Sequence, residues 1–411
     1  MQFPKHMLGP LAGAFVSLQV LFLANMCYLY GTAIQDGTRF SAMKVLYVDF
    51  DQGIIGKSVL KAYELVRSPA FPTIEQHSTA EYHTEDSLKR AVCKEGYWGA
   101  IYAKTNASLR LSTAITSPAA AENYNNVDAL GYVWNGAKYA GYAQTVHASL
   151  TELVQVTGNV YSQVNETSIF ATANVFNPSI ASTLLQPIAS TETDLLPTNQ
   201  GTRFYYNTVS MVMPIIQQFF FFFIMASNEI SMNFNLFAVS LTQLASFRAL
   251  VAFVYMFISA LAMSGYIRVF REGWDVHSSQ FGLTWMTIWL AMQVQYLLLE
   301  FVTTFVLMQF IPFAILTWVI LNVSSTLSSF ELSPGFYRWG YALPGRELYD
   351  TPLQVWTRGC NPYLGRSLPI LWSWRIAGVV VFAVALRYRH QTAMKAGIQI
   401  IEDEKSEGSR A

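Results

Sequence analysis

Charged residues are scarce in this sequence. They make up 13% of its 411 residues, and Lys plus Arg number 26, as do Asp plus Glu. Soluble domains carry about a quarter charged residues. Together with a hydrophobic content of 52%, the deficit argues against a soluble protein and for a polytopic membrane protein. A balanced charge also offers no basic surface for nucleic acid, so no nucleic-acid partner is expected.

Cysteine is almost absent as well, with three residues in the whole chain. This number excludes a disulfide-dense scaffold and a Cys-rich zinc site, and we expect neither a metal nor a cofactor. Cys27 lies in the first apolar segment, whereas Cys93 and Cys360 lie in two polar regions that the predicted topology places on one non-cytosolic side. An oxidising compartment would let these two pair. The pairing stays open at this stage, because sequence does not show the geometry that a disulfide requires.

The chain instead contains a series of long apolar runs. Residues 8–33 exceed the ~7–15 apolar residues of a signal-peptide core, so we expect a retained anchor that follows a cytosolic N-terminus at 1–7. One membrane crossing takes ~20 apolar residues. Further spans are predicted at 204–226, 249–267, 283–307, 310–330 and 368–386.

These spans divide the chain into predicted regions. About six spans would leave both termini in the cytosol, with a cytosolic tail at 389–411. A membrane domain at 204–388 would contain an external loop at 331–367. Residues 230–247 are also uncharged, and we interpret them as an interfacial or re-entrant helix. If they span the membrane instead, every later side assignment inverts.

The polar region at 34–203 predicts an external or lumenal domain of α/β or α+β type. Its segment MKVLYVDFD (43–51) indicates a buried strand, and KSVLKAYELV (57–66), after a glycine turn, indicates an amphipathic helix. Sequons at Asn106 and Asn165 are typical of glycosylation on a lumenal or extracellular surface. We therefore expect an integral membrane glycoprotein of the plasma membrane or an endomembrane.

A single formal charge, Glu300, interrupts the apolar stretch 283–330. An ionisable group within the bilayer is costly and usually faces a protein or water-filled interior. On a helix, Gln293, Tyr296 and Glu300 recur at spacings of three and four and therefore share one face. Two interpretations stay open: Glu300 joins two helices through hydrogen bonds, or it is a protonatable, substrate-contacting group in a cavity.

An aromatic and charged segment follows, from Ser333 to Asp350. Its Tyr and Trp rings suit a membrane interface, and its charges suit a solvated loop. In the alternative interpretation, this segment and the helix before it shape a path for a substrate. The residues of that path would be Gln293, Tyr296, Glu300, Asn322, Tyr337, Arg338, Trp339 and Arg346.

Two segments make the chain resemble a known family: NVSSTLSSFELSPGFYRWGYALP (322–344) and YWGAIYAKTNAS (97–108). They are similar to the fungal nitrosoguanidine-resistance family of membrane proteins, as is the position of Glu300 in the fourth span. The layout of one anchor, a large external domain and a block of spans also resembles, distantly, the permease part of ATP-binding-cassette exporters. One departure is Gly345-Arg346-Glu347, where the family usually continues with a His-Asn pair.

The resemblance implies a permease-like protein that exports, or confers tolerance to, a small hydrophobic compound, for example one from a fungal secondary-metabolite pathway. The chain carries no recognisable nucleotide-binding domain, so active transport would need a separate ATPase subunit or ion coupling. Membrane lipids and a second copy of the chain, as a homo-oligomer, are the other partners to expect.

The main alternative is an integral-membrane terpene cyclase that acts on a prenylated, meroterpenoid precursor. Acid-initiated cyclisation needs a neutral carboxylic acid in a dry, aromatic-lined pocket. Glu300, Glu347 or Asp350 would supply the acid, and the 15% aromatic content would supply the lining. No DDxxD pattern is present, so no metal-dependent ionisation is implied. Enzyme, transporter and a non-catalytic scaffold whose external domain binds a partner all stay open.

Overall fold

The computed structural model describes residues 5–139, 141–173, 176–199, 201–231 and 240–408. A mixed α/β domain lies between the first helix and a later group of apolar helices. The strands of this domain are β1 (Lys44–Asp49), β2 (Thr73–His77), β3 (Gly99–Ala103), β4 (Leu130–Trp134) and β5 (Ser190–Asp194). The first helix, α1 (Lys5–Thr32), precedes it, and its own helices are α2 (Ile54–Val66), α3 (Glu85–Lys94), α4 (Ala107–Thr116), α5 (Pro118–Glu122), α6 (Tyr142–Thr172) and α7 (Pro178–Leu185).

The five strands form one sheet in the order β2-β1-β3-β4-β5. Strand β1 runs parallel to β2 and β3, with Val45 opposite Gly99, whereas β4 is antiparallel to β3 and parallel to β5. The continuous apolar run of β1 is typical of a strand that is covered on both faces. Val45 belongs to the cluster that contains Ile55 of α2, and Leu46 belongs to the cluster that contains Leu88 of α3. Helices therefore cover both faces of the sheet.

The apolar helices follow the α/β domain. They are α8 (Val209–Ser231), α9 (Leu241–Val269), α10 (Ser278–Phe305), α11 (Ile311–Leu327), α12 (Pro344–Trp356) and α13 (Leu364–Gly408). Among the described residues, four segments are long and apolar enough to cross a membrane: Ala12–Thr32, Ala245–Val269, Ser278–Phe305 and Leu364–Thr392. Two shorter apolar helices cover Val209–Met225 and Ile311–Leu327. The protein is thus a helical membrane protein, and the count of six spans stays a prediction.

Helix α10 is the centre of the apolar group. It packs against α8, α9, α12 and α13, and α1 packs against α11 at the side of the group. The contact between α10 and α13 is close because α13 presents a glycine there. A Cβ atom on Gly378 would lie 2.8 Å from the Cβ atom of Leu297, which is shorter than a normal contact. A larger residue at position 378 would push the two helices apart.

Several boundaries differ from those that the sequence predicts. Thr202–Tyr205 is a short 3-10 helix, and α8 begins only at Val209. The predicted external loop at 331–367 contains another 3-10 helix, Gly335–Ala342, and the whole of α12. Pro344 stands at the first position of α12, where a proline needs no backbone N–H and fixes a helical φ. Of the predicted re-entrant segment 230–247, residues 232–239 lie outside the described residues.

Candidate functional site

Helix α12 is anchored at its first turn by a buried amide. The backbone N–H of Gly345 donates to Oδ1 of Asn322, at the end of α11, over 2.8 Å. A Cβ atom on Gly345 would lie 2.7 Å from the same Oδ1 atom, so the contact requires glycine. The predicted path residue Asn322 is therefore fully buried and holds α12 against α11. The Gly-Arg-Glu departure from the family pattern begins at this contact.

The sequence predicts that three charged residues of α12 lie in a solvated loop, but in the structure they are buried. Arg346, Glu347 and Asp350 are each at most 3% exposed. The Nε atom of Arg346 donates to Oδ2 of Asp350 over 2.9 Å. Arg366, on α13, donates to Oε1 of Glu347 over 3.2 Å and also pairs with Asp350. Two guanidinium groups and two carboxyl groups thus form one compact cluster.

Aromatic rings surround the Arg346 side chain. Its guanidinium carbon lies 5.5 Å from the ring centroid of Tyr139, 5.1 Å from that of Phe330 and 5.7 Å from that of Tyr341. Rings at such distances stabilise a cation through their negative faces. Tyr139 follows β4 in the α/β domain, and its hydroxyl accepts from Nη1 of Arg346 over 3.3 Å. The rings are occupied by the protein's own cation, and they connect the α/β domain to α12.

Burial changes the acid–base behaviour of Glu347. Loss of solvent raises the pKa of its carboxyl group from 4.5 to about 7, although the nearby Arg366 opposes that rise. Oε2 of Glu347 has no hydrogen-bond partner among the described residues. Glu347 is therefore a group that exchanges a proton near neutral pH.

The raised pKa predicts a pH dependence of stability. The folded protein holds a proton on Glu347 that the unfolded chain releases above its ordinary pKa of 4.5. The stabilisation is fully present below that value and is lost as the pH rises through about 7. We expect Glu347→Gln to flatten this part of the profile of melting temperature against pH. Glu64→Gln, at an exposed position of α2, is the control and should keep the wild-type profile.

The second polar feature surrounds Glu300 at the far end of α10. Glu300 is 1% exposed, and its Oε1 accepts from Nε and Nη2 of Arg248, on α9, over 3.1 and 2.8 Å. The hydroxyl of Tyr296 donates to Oε1 over 3.0 Å. Nη1 of Arg389, on α13, lies 3.2 Å from Oε2. Two guanidinium groups thus contact one carboxyl group, and the arrangement joins α9, α10 and α13.

Within the part of the chain that the structure describes, three cavities beside α10 stand out. The first holds about 50 Å³ between α8, α9, α10 and α12. The second holds about 380 Å³ between α10, α12 and α13, and the third holds about 320 Å³ between α8, α9, α10, α11 and α13. The first is lined by Arg203, Tyr206, Ser210, Met211, Met263, Ile267, Trp274, Thr284, Ile288, Leu348, Tyr349, Pro352, Leu353 and Trp356. Predicted path residue Gln293 lines the second, and both arginines that bind Glu300 line the third.

A family model described as a protein of unknown function (DUF3533) matches residues 14–380. The chain belongs to DUF3533. The matched range runs from α1 into α13 and therefore includes the α/β domain, the charged cluster on α12, the first two cavities and all of the third except Arg389. No solved structure matches the chain. The match carries no function, and the narrower resemblance to the nitrosoguanidine-resistance family stays a prediction for this DUF3533 protein.

In this DUF3533 protein a disulfide ties the α/β domain to α12. The structure joins Cys93, in α3, to Cys360, in the turn that follows α12. Beside the bridge, the backbone N–H of Asn361 donates to the carbonyl oxygen of Cys93 over 2.8 Å. Cys27, on α1, is exposed and unpaired among the described residues.

The other predicted residues of the DUF3533 protein lie outside the cavities. Tyr337 and Trp339 sit on the 3-10 helix Gly335–Ala342, with their ring centroids 5.1 and 6.0 Å from that of Tyr28 in α1. Arg338, between them, is exposed. The predicted glycosylation sites differ in setting. Asn106 is exposed, whereas Asn165 is half-buried in α6 and its amide donates to the carbonyl oxygen of Tyr161 over 2.9 Å.

Sequence reasoning missed the basic partners in this DUF3533 protein. Arg248 lies one residue before the predicted span 249–267. Arg203 is the last residue of the predicted external domain, and Arg366 lies in the predicted external loop 331–367. A signal existed for the first of these, because one acid in an apolar helix requires a base nearby, and Arg248 stands at the edge of the neighbouring apolar run. Nothing in the local pattern around Arg203 or Arg366 indicates burial.

Proposed function

We propose that this DUF3533 protein is a permease-like membrane protein that exports, or confers tolerance to, a small hydrophobic compound. The observation that carries the proposal is the set of three cavities beside α10, whose walls are mostly apolar. Sites for small molecules are concave and lined mainly by hydrophobic and aromatic side chains, with few polar groups. Such walls suit a lipophilic compound and not a hydrophilic one.

The positions of the cavities along α10 support a path across the membrane. Thr284 lines the first cavity, Gln293 the second and Thr303 the third. The distance along α10 from Thr284 to Thr303 is roughly 28 Å at ~1.5 Å per residue. A hydrocarbon core is ~30 Å thick. Leu283 and Thr287 also line the second cavity, so the first two cavities lie at one level of α10 and the third at another, and movement of α8, α12 or α13 would connect the two levels into one path.

We place the α/β domain on the non-cytosolic side of the plasma membrane or an endomembrane, with both termini in the cytosol. The disulfide between Cys93 and Cys360 supports this orientation, because disulfides persist in oxidising compartments. The sequons at Asn106 and Asn165 fall on the same domain and agree with it. In this orientation the charged cluster of α12 faces the external end of the path.

Movement against a gradient requires an energy source. A separate ATPase subunit is one such source, and ion coupling is the other. Glu347 supports ion coupling, because its carboxyl group has a pKa of about 7 and can take up or release a proton at physiological pH. It lies one residue before Leu348, which lines the first cavity.

Blocking the first cavity should stop export. Met263 on α9 lines this cavity and is fully buried, whereas Ile258 on the same helix is 59% exposed on its outer face. We expect Met263→Trp to abolish efflux of a labelled lipophilic compound from drug-sensitised yeast, since the indole fills the space that the compound would occupy. Ile258→Trp adds the same group on the outside and should transport at the wild-type rate.

Both variants must be shown to fold before efflux is compared. Overpacking costs about 1–3 kcal/mol. The melting temperature of each purified variant and its abundance in the membranes of the cells are therefore measured first. Equal retention of every compound tested by cells with wild-type protein and by cells without it would reject the export proposal. Wild-type efflux by a folded Met263→Trp variant would reject the first cavity as part of the path.

The cyclase alternative is favoured by one observation, the burial of Glu347 next to an aromatic cluster, which raises the pKa of its carboxyl group to about 7. It is weakened by two others. Arg346 already fills the space between the rings, and both carboxyl oxygens of Glu300 are already occupied by guanidinium groups. A cyclised isomer made from a prenylated precursor by wild-type microsomes, and not by Glu347→Gln microsomes, would replace the export proposal with this one.

A further inference from the structure

Arg203 is a buried cation at the junction of the α/β domain and the apolar helices. Its side chain is 5% exposed and lines the first cavity. Nη1 donates to the carbonyl oxygen of Gly136 and to the hydroxyl of Thr198. The guanidinium carbon lies 5.4 Å from the ring centroid of Trp274, another residue of the cavity wall. One edge of the guanidinium group is therefore hydrogen-bonded to the α/β domain, and the group packs against the ring of Trp274 in the cavity wall.

The other edge of Arg203 lacks a partner. Nη2 is buried and has no hydrogen bond to any described residue. None of the ion pairs within the described ranges includes Arg203. Asp194 and Tyr349 act on the charge of Arg203 from nearby, but neither accepts a hydrogen bond from Nη2. A buried guanidinium donor without an acceptor costs folding free energy. Such a cost is tolerated where an anion arrives with a ligand.

The residues that line the first cavity indicate the chemistry of the rest of that ligand. Apart from Arg203, Tyr206, Ser210 and Thr284, its wall is made mainly of Met, Ile, Leu and Trp side chains. The indole N–H of Trp356 donates to the hydroxyl of Thr284 over 2.8 Å, so these two groups are already satisfied by each other. An apolar body would fit this wall, and the anionic end would fit Arg203.

We propose that the first cavity binds a lipophilic carboxylate, whose head group pairs with Nη2 of Arg203 and whose chain lies against Met263, Ile288 and Leu353. The inference rests on the proposed export function, and it names the class of compound that is moved. A carboxylate fits better than a phosphate, because Nη2 is the one atom of Arg203 that is buried without a hydrogen-bond partner among the described residues, and a phosphate has more oxygens to satisfy. The closed volume of about 50 Å³ holds the head group and the first carbons, so a longer chain requires α12 to move away from α8.

The cavity contains its own reporters for a binding experiment. Trp274 and Trp356 both line it, and a bromine atom nearby quenches indole fluorescence. Purified full-length protein in detergent is titrated with a terminally brominated undecanoate and, separately, with the matching brominated alcohol. We expect the carboxylate to bind at least about tenfold more tightly than the alcohol, the smallest effect of a hydrogen bond to a charged group.

Arg203→Gln should remove this preference and leave binding of the alcohol unchanged, so the alcohol also shows that the cavity is intact. Arg203→Lys keeps the charge and should retain part of the preference. Arg67→Gln, which changes an exposed arginine just after α2 and outside the cavities, is the matched control and should keep all of it. Equal affinity of wild-type protein for acid and alcohol would overturn the proposal, as would an unchanged preference in Arg203→Gln. If Arg203→Gln does not fold, wild-type protein is titrated at a pH that protonates the free acid. Loss of the preference for the acid at that pH supports the proposal, and a preference that persists contradicts it.

Efflux measured in parallel separates this inference from the function on which it rests. Export of the neutral alcohol without preference for the acid would leave the permease standing and reject the carboxylate site. Tight, Arg203-dependent binding of the acid by a protein that exports nothing would establish the site and reject export. Undecanoate added as free acid and undecanoyl chains presented in phospholipid vesicles distinguish a free weak acid from a membrane lipid as the source, since only the free acid carries a carboxylate.

Discussion

Glu300→Gln is expected to prevent stable folding instead of merely slowing a reaction. The substitution takes a shared carboxylate away from Arg248 and Arg389, in a region where Glu300 is 1% exposed. Removing one partner of a buried ion pair costs about 3–5 kcal/mol, because the remaining charges stay in a medium of low polarity. The total stability of a domain is only about 5–15 kcal/mol. We expect a large fall in the yield of monodisperse protein and in its melting temperature.

The experiment is a thermal melt of detergent-purified protein, with Phe301→Leu as the control. Phe301 is the next residue on α10 and is 43% exposed on its outer face, so its change should be close to neutral. In the double variant Arg248→Gln/Glu300→Gln, the loss should be smaller than the sum of the two single losses, since the pair is removed together. A Glu300→Gln variant that melts like wild type but exports nothing would show that Glu300 contacts the substrate instead.

Cys360→Ser should give the second-largest effect. The substitution breaks the bridge to Cys93 and frees the α/β domain from the turn after α12. Loss of a native disulfide typically costs about 2–5 kcal/mol, mainly through greater freedom of the unfolded chain. We expect a lower melting temperature and a shift in mobility between reducing and non-reducing gels that is present in wild type and absent in the variant.

Cys27 provides a matched control for this experiment. It is exposed on α1 and has no disulfide partner among the described residues, so Cys27→Ser should melt like wild type. Alkylation of intact cells then tests the compartment. Two cysteines that resist a thiol reagent until reduction place the bridge in an oxidising compartment, whereas three freely reactive cysteines would contradict both the bridge and the proposed orientation.

The α/β domain could be predicted largely because local patterns decide it. The run from Val45 to Val48 is apolar without interruption, and the helix after the glycine turn has its apolar residues on one face. Both signals lie within a few residues of sequence and need no partner to be recognised. Strand β1 and helix α2 accordingly lie in the segments where the pattern predicts a strand and a helix.

Helix α12 could not be predicted in the same way. Arg346, Glu347 and Asp350 are ordinary loop residues by composition, and their burial depends on Arg366 and Tyr139. Those partners come from another helix and from the α/β domain. Charges are buried only where other groups satisfy them. Here those groups are distant in sequence, so the local sequence contains no sign that the three charged residues are buried. The cavity with Arg203 escapes prediction for a related reason, because its wall combines residues of α8, α9, α10 and α12.

The distance in sequence between the bridged cysteines also governs how the molecule is made. Cys93 and Cys360 are 267 positions apart, and α8 to α12 lie between them. A ribosome therefore delivers Cys93 long before Cys360 exists, and the bridge cannot close until α8 to α12 have been synthesised. A closed bridge thus reports that synthesis has passed Cys360 and that α3 and the turn after α12 have come together.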